Sequence, residues 1–261
     1  MKKPLLDVVF ASEKRKGVLL LLRDRAIDME SLSNALNTTR QALLPQIRIL
    51  EDHYLVSHHK DTYELTTIGK LIVDEMEPLL STVDVLDFNT TFWGERDLEF
   101  IPPELLGRIS ELGQYRVNEP CISNIHELNK DFTKKSAISN KMYAASTIFH
   151  PNFMELFDLW TSNETEILMV ISEELFDKLR TQNHNDFQEL LDNPYIKFYL
   201  YSKPFNFVYI ALNDYCILLT MLKKDGRYDN KELISYSSTA LEWGKELFDH
   251  YLKDSTPITG I

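Results

Sequence analysis

Met-Glu-Ser-Leu-Ser-Asn-Ala-Leu (29–36), Asn-Thr-Thr (37–39) and Arg-Gln-Ala-Leu-Leu-Pro-Gln-Ile-Arg-Ile-Leu-Glu-Asp (40–52) decide how this chain is read. Leu32 and Leu36 lie one helical turn apart, and Leu43, Ile47, Leu50 and Tyr54 continue at helical spacing on the next segment. Two short helices joined by a polar three-residue turn, each with one apolar stripe, bury those stripes together and leave the outer face of the second helix free to enter a DNA major groove. On that outer face the wheel places Gln41, Leu44, Pro45, Arg48 and Asp52, with Thr38, Thr39 and Arg40 at its amino end. Arg40 and Arg48 suit guanine edges or phosphates, Gln41 suits adenine, and Thr39 suits an N-cap or a phosphate. Leu44 and Pro45 make the face apolar enough to pack on thymine methyls or to leave more of the recognition to DNA shape. Pro45 lies beyond the first turn, removes an amide from the ladder and predicts a bend.

Downstream, Leu55-Val56-Ser57-His58, the polar tip His59-Lys60-Asp61 and Thr62-Tyr63-Glu64-Leu65 read as a β-hairpin. Beside a helix-turn-helix such a hairpin is a wing, and His58, His59 and Lys60 suit its contact with phosphates, against the plainer reading of a solvated loop. The expectation is an amino-terminal DNA-binding unit over residues 1–84. Residues 5–25 read as one or two helices. Thr67 to Leu80 reads as another, with Ile68, Leu71, Ile72, Met76 and Leu79 on one stripe, suited either to intramolecular core or to a two-fold homodimer reading a palindromic site.

The chain of 261 residues carries a net charge of −12, which seems to oppose DNA binding. The charge is unevenly placed. Residues 1–80 hold 11 Lys+Arg against 12 Asp+Glu, leaving 17 against 28 for the rest. A near-neutral head predicts modest non-specific affinity, and an acidic remainder would keep the protein oriented head-first. No apolar run reaches the length of a membrane span, and no cleavage site follows the short apolar block Val18 to Leu22, so neither a membrane partner nor a signal peptide is expected. With two cysteines, Cys121 and Cys216, a reducing cytoplasm is the expected location.

Asp84 to Pro103 is rich in turn and breaker residues, and residues 85–128 read as a helical junction. From 129 to 261, strands are expected at Tyr143–Phe149, Glu166–Ser172, Ile196–Tyr201, Phe207–Leu212 and Tyr215–Met221. Helices are expected at Pro151–Trp160, Glu173–Thr181, Asp186–Leu191 and Thr239–Lys253, with Pro151 in a first helical position and a capping box at Thr239 to Glu242. The fold class expected is mixed α+β and α/β: a winged helix followed by a mixed sheet with helices on its faces.

Residues 31–56 resemble the winged-helix core of the ArsR superfamily. Trp93, Asp97-Leu98, Ile101-Pro102, the run from Ser146 to Phe153, Lys224-Asp225-Gly226 with Tyr228-Asp229, and Leu241-Glu242-Trp243-Gly244 resemble the companion domain of archaeal regulators that include the methanogenesis regulatory proteins and the methyltransferase-specific regulators of methanogens. The resemblance implies an archaeal transcriptional regulator whose second domain senses a signal or mediates assembly. It departs from metal-sensing relatives, which carry Cys-x-Cys in the recognition helix. The strand order also resembles half of a phospholipase-D-like fold, whose His-x-Lys-x4-Asp signature is missing here. The registers tried read Asn206, Val208, Asn213 and Phe207, Tyr209, Asp214, which supply no nucleophilic histidine.

No phosphate loop, nucleotide fingerprint, nucleophile elbow or zincin motif is present, so no catalytic residue and no cofactor is expected. Cys121 and His126 are two of the four ligands a structural zinc needs, and no metal site is expected from them. His150, at a strand-to-helix turn, either lines an effector pocket with Trp93, Tyr209 or Trp243 or serves the turn. The leading function is sequence-specific DNA binding by a dimer with a possible small-molecule effector. The alternative is a protein-interaction adaptor using an exposed Leu44 and Pro45, and an enzyme lacks any nucleophile–base constellation.

Overall fold

The computed structural model describes residues 3–119 and 129–260. The chain divides into two compact units, residues 1–83 and 84–261.

Unit 1 opens with α1 (Leu5–Phe10), α2 (Glu13–Leu21) and the two-residue strand β1 (Ile27–Asp28). The helix-turn-helix follows as α3 (Met29–Ala35) and α4 (Arg40–Asp52), then the wing strands β2 (Val56–His59) and β3 (Thr62–Leu65), then α5 (Thr67–Asp87). Short polar side chains start the early helices. Asp28 accepts from the Ser31 amide at 2.8 Å, and Thr39 from the Ala42 amide at 3.3 Å. Asn37, at φ 45°, turns the chain between α3 and α4, a backbone state that asparagine tolerates. Leu32, Leu43, Ile47, Leu50, Leu55 and Val73 are fully buried in one core, and the wing closes as an antiparallel sheet in the order β1-β3-β2.

Three expectations change here, those for Leu44, the end of α5 and its apolar stripe. Leu44 is half-buried against this core rather than on the outer face, because its place on the wheel borders the Leu43–Ile47 stripe. Helix α4 runs on through Pro45, with the ring exposed. Helix α5 extends to Asp87, past Leu80 and into the stretch read as junction. Its apolar residues also divide. Val73 and Met76 enter the core, while Ile68, Leu71, Leu79 and Val83 stay exposed.

Unit 2 is built on an eight-stranded sheet. Its strands are β4 (Tyr115–Asn118), β5 (Lys141–Ser146), β6 (Glu166–Ser172), β7 (Ile196–Tyr201), β8 (Phe207–Asn213), β9 (Ile217–Met221), β10 (Glu232–Ser235) and β11 (Thr256–Ile258). The order is β11-β7-β6-β5-β8-β9-β10-β4, parallel across β7, β6 and β5 and antiparallel elsewhere. Successive strand residues face opposite sides, so the sheet feeds two cores. Ala145, Val170, Ile210 and Leu212 join α6 (Thr90–Glu95), α7 (Pro103–Leu106) and α12 (Ser238–Lys253) on one face. Ala144, Met169, Ile171 and Ala211 join α8 (Lys130–Ser136), α9 (Phe153–Thr161), α10 (Glu173–Gln182) and α11 (His184–Asp192) on the other.

Here too the reading is corrected in places. The described part of the expected junction, through Glu119, shares the first core and the sheet of unit 2. Strand β5 stops at Ser146, whose hydroxyl donates to the Ile148 carbonyl at 2.6 Å and turns the chain. Helix α9 starts at Phe153 rather than Pro151. No capping box forms on α12: Ser237 is its N-cap residue, and the Thr239 hydroxyl donates instead to the Glu111 carbonyl at 2.7 Å. Strands β4, β10 and β11 and helix α8 are additions to the expected set. Cys121 and His126 lie outside the described residues, and among the described residues no cluster of three or more metal-binding side chains occurs.

One close approach in unit 1 gives a stability test. A Cβ on Gly69 would lie 2.0 Å from the Leu55 carbonyl oxygen, which already accepts from the Thr66 amide at 3.0 Å. Gly69→Ala should therefore destabilise unit 1 by about 1–3 kcal/mol in urea unfolding, although alanine is the better helix former.

Candidate functional site

Two sites can be built from the residues upward, one in each unit. In unit 1 the outer face of α4 exposes Arg40, Gln41, Pro45 and Arg48, with Thr39 exposed at its start and Thr38 half-buried. Among the described residues the side chains of Gln41 and Arg48 have no hydrogen-bond or ion-pair partner, whereas that of Arg40 is engaged. Its two terminal nitrogens donate to both Asp61 oxygens, at 3.2 and 2.8 Å, a fork between the start of α4 and the wing turn. Both side chains are more than half exposed, so the pair is weak and sensitive to salt. Asp61 also accepts the Met29 amide through its carbonyl at 3.2 Å, so one residue ties the wing turn to the starts of α3 and α4. His59 and Lys60 are exposed at the tip, Lys60 at φ 56°. His58 is exposed but partnered, its Nδ1 meeting the Glu51 carboxylate.

From behind, α4 is held by a buried cation. Arg15 donates to the carbonyls of Val8 and Asp7 and, at 2.7 Å, to Gln46 Oε1. Its charge meets carbonyls of α1, of which that of Asp7 also accepts the Ala11 amide at 3.2 Å, while Gln46 fixes the rotation of α4, so the outward direction of Gln41 and Arg48 follows from packing on the opposite side.

In unit 2 a cavity of about 300 Å³ opens among β5, β8, β10 and α9, and its lining includes His150, Phe153, Trp160, Tyr209, Tyr228 and Glu232. Most of the wall is apolar, and the polar groups gather around Glu232. This carboxylate is buried. It accepts from the Tyr209 hydroxyl and, at 3.3 Å, from Asn129 Nδ2, and among the described residues no cation pairs with it. Burial, then the charge of Glu232, pushes the Tyr209 phenol well above its ordinary range and keeps it a donor. Burial and the charges of Glu232 and Asp229 push Tyr228 up to about 12. His150 accepts from the Asn152 amide at Nδ1, which in the neutral ring leaves the proton on Nε2, a buried nitrogen with no partner among the described residues. Asn230 accepts from the Tyr228 hydroxyl at Oδ1, and its Nδ2 is likewise buried and unpartnered.

Of the four pocket residues named from sequence, His150 and Tyr209 line this cavity. Trp93 and Trp243 pack on the other face of the sheet. Trp93 donates to the Tyr115 hydroxyl at 2.8 Å, and Trp243 to the Leu105 carbonyl at 2.8 Å. Sequence reasoning missed Glu232, Tyr228 and Asn230. The apolar pair Leu233-Ile234 after Glu232 was the available sign that this acid starts a strand.

Comparison with known proteins shows what each part of the chain is similar to. The model of the middle domain of the methanogenesis regulatory protein FilR1 matches residues 125–254, and that of the HVO_A0261 N-terminal domain matches residues 5–87. Over those residues the chain is similar to the FilR1 middle domain and to the HVO_A0261 N-terminal domain. It is 25% identical to the methanogenesis regulatory protein FilR1 of Methanothrix harundinacea (strain 6Ac) over 253 residues, 95% of this chain and 56% of that relative, so it spans little more than half the relative's length. Among solved structures, TrmBL2, described as an archaeal chromatin protein, covers 97% of both chains at 13% identity with a TM-score of 0.45. Nuc, a phospholipase D family member from Salmonella typhimurium, covers 56% of this chain and 97% of its own at 11% identity and a TM-score of 0.37. Among the described residues no helix is long and apolar enough to cross a membrane.

The segment carrying Tyr228 and Asn230 is anchored by a pair that can be tested. The fully buried Arg96 guanidinium makes a fork to both Asp229 oxygens, at 2.8 and 2.6 Å. Burial works to raise the Asp229 carboxyl, but hydrogen bonds from Arg96 and its charge outweigh it and hold the group below the usual range. Asp229→Ala leaves a buried charge unpaired and should cost about 3–5 kcal/mol in urea unfolding at neutral pH. A depressed carboxyl stabilises the fold fully above its unfolded value, about 3.9, and that contribution disappears as pH falls below it. The difference between the native chain and the variant should therefore shrink in acid.

Proposed function

We propose that this chain is a dimeric, sequence-specific DNA-binding transcriptional regulator whose second unit responds to a small effector. The observation that carries the reading is the outer face of α4, where Gln41 and Arg48 project with no side-chain partner among the described residues, next to a wing tip bearing His59 and Lys60. In this reading Gln41 and Arg48 meet base edges, while Thr39, Arg40, His58, His59 and Lys60 position the head on phosphates. Arg40 reaches a phosphate by exchanging Asp61 for it. Leu44 takes no part, being packed inward, which also weakens the adaptor alternative that relied on its exposure. No turnover is assigned to unit 2.

The dimer reading is supported by Ile68, Leu71, Leu79 and Val83, which are 49%, 64%, 52% and 44% exposed. Offsets of 0, 3, 11 and 15 put them on one side of α5, centred away from the buried Val73, with Val83 bordering the buried Met76 seven residues before it. A bare apolar stripe of this kind suits a second copy of the same helix across a two-fold axis.

Fluorescence anisotropy on DNA from upstream of the chain's own gene, against random duplex at two salt concentrations, tests the reading. Specific binding should weaken steeply as salt rises, and equal, salt-insensitive binding to both duplexes would overturn it. Arg48→Ala should lower specific affinity by about 1–3 kcal/mol, whereas an equal loss on every sequence would make Arg48 a phosphate contact. The double variant Leu71→Glu, Leu79→Glu should sediment as a monomer where the native chain sediments as a dimer.

A further inference from the structure

Glu232 presents an energetic problem that the described residues leave unsolved. Its residue is 5% exposed, and its described partners, Tyr209 and Asn129, are neutral donors. A buried carboxylate is compensated fully only by a cation, since neutral hydrogen bonds satisfy lone pairs without cancelling charge. The space next to it is open, about 300 Å³, at the lower end of the roughly 300–1,000 Å³ usual for small-molecule sites. Phe149, Phe153, Phe157 and Trp160 wall that space together with Tyr209 and Tyr228, and aromatic faces attract cations.

We infer that this cavity binds a small organic amine, its ammonium paired with Glu232 and its apolar substituents packed against the aromatic wall. The N–H groups of His150 and Asn230, without a partner among the described residues, add a second element of recognition, since both are donors and suit an oxygen acceptor on the ligand. A carboxylate ligand is disfavoured because its charge would oppose that of Glu232. A neutral alcohol can donate to Glu232 but leaves the charge in place, and its affinity should fall accordingly.

The inference deepens the regulator reading by taking the cavity as its effector site, and the experiment separates the two. Calorimetric titration of the full chain without DNA uses three probes sharing one apolar body: phenethylamine, 2-phenylethanol and phenylacetate. Phenethylamine should bind at least about tenfold tighter than the alcohol, and phenylacetate weakest, the scale of one charge-assisted hydrogen bond. Glu232→Gln keeps a polar group for Tyr209 and Asn129 and should remove that preference, with the native melting transition retained as the check on folding. The probe comparison on the native chain stands even where the variant does not fold. Equal affinity for amine and alcohol, no amine binding at millimolar concentration, or an undiminished preference in the folded variant would each overturn the inference. Repeating the anisotropy titration with phenethylamine then asks a different question. If the amine binds but DNA affinity is unchanged, the ligand class stands and the coupling to DNA falls.

Discussion

The fork between Arg96 and Asp229 is the constraint on which the cavity depends. A guanidinium with no exposed surface needs a fixed anion, and Asp229 is that anion. The segment around it has no helix or strand of its own between β9 and β10. It is tied down by Arg96, by the Lys224 amide on the Glu95 carbonyl at 3.0 Å and by Lys223 on the Glu95 carboxylate at 3.0 Å. Tyr228 and Asn230 flank Asp229 in sequence and form part of the cavity wall. A structural ion pair thus turns a loop into a wall, and the cation used is buried on the opposite side from the space it shapes. Arg96 also lies 4.5 Å from the centroid of Phe92, so the fork is registered on the first core as well.

The two sites differ in how far sequence reveals them, and the difference is one of range. The helix-turn-helix is local. Leu32, Leu43, Ile47 and Leu50 sit on a 3.6-residue period, the polar turn between them is three residues long, and the wing follows at once, so periodicity and turn chemistry suffice. The outer face followed from the same wheel, and Leu44 was misplaced because a residue at the edge of a stripe is decided by neighbours the wheel does not contain. The cavity is the opposite case. Its lining runs from Phe132 to Glu232, and only the placing of β5 beside β8 and of β10 two strands beyond brings those residues together. Glu232 follows Asn-Lys, which suits a solvated loop, and only the apolar pair Leu233-Ile234 after it marks the start of a strand. Trp93 and Trp243 were chosen as large amphipathic side chains, and in the fold their N–H groups are satisfied inside the first core.

In unit 1 the same economy appears with opposite charges. Asp61 receives the Met29 amide and the Arg40 fork, so the turn of the wing and the two helices of the reading head share one anchor. Arg15 performs the matching task from within, through backbone carbonyls and Gln46. The outward face of α4 is thus held in shape by an exposed partner on the wing turn and by a buried one behind the helix. Several cations of this nearly neutral unit are already committed to the fold, Arg15 and Arg40 among them.

The three tryptophans are divided by the sheet. Trp93 and Trp243 belong to one core, while Trp160 lies in the other and forms part of the cavity wall. Indole emission responds to the polarity and quenchers next to the ring, so an occupant of the cavity meets one emitter directly and leaves the other two behind the β-layer. The native chain thus carries its own optical reporter: a change in the Trp160 contribution reads occupancy of the cavity, and the constant background from Trp93 and Trp243 reads the integrity of the fold around it.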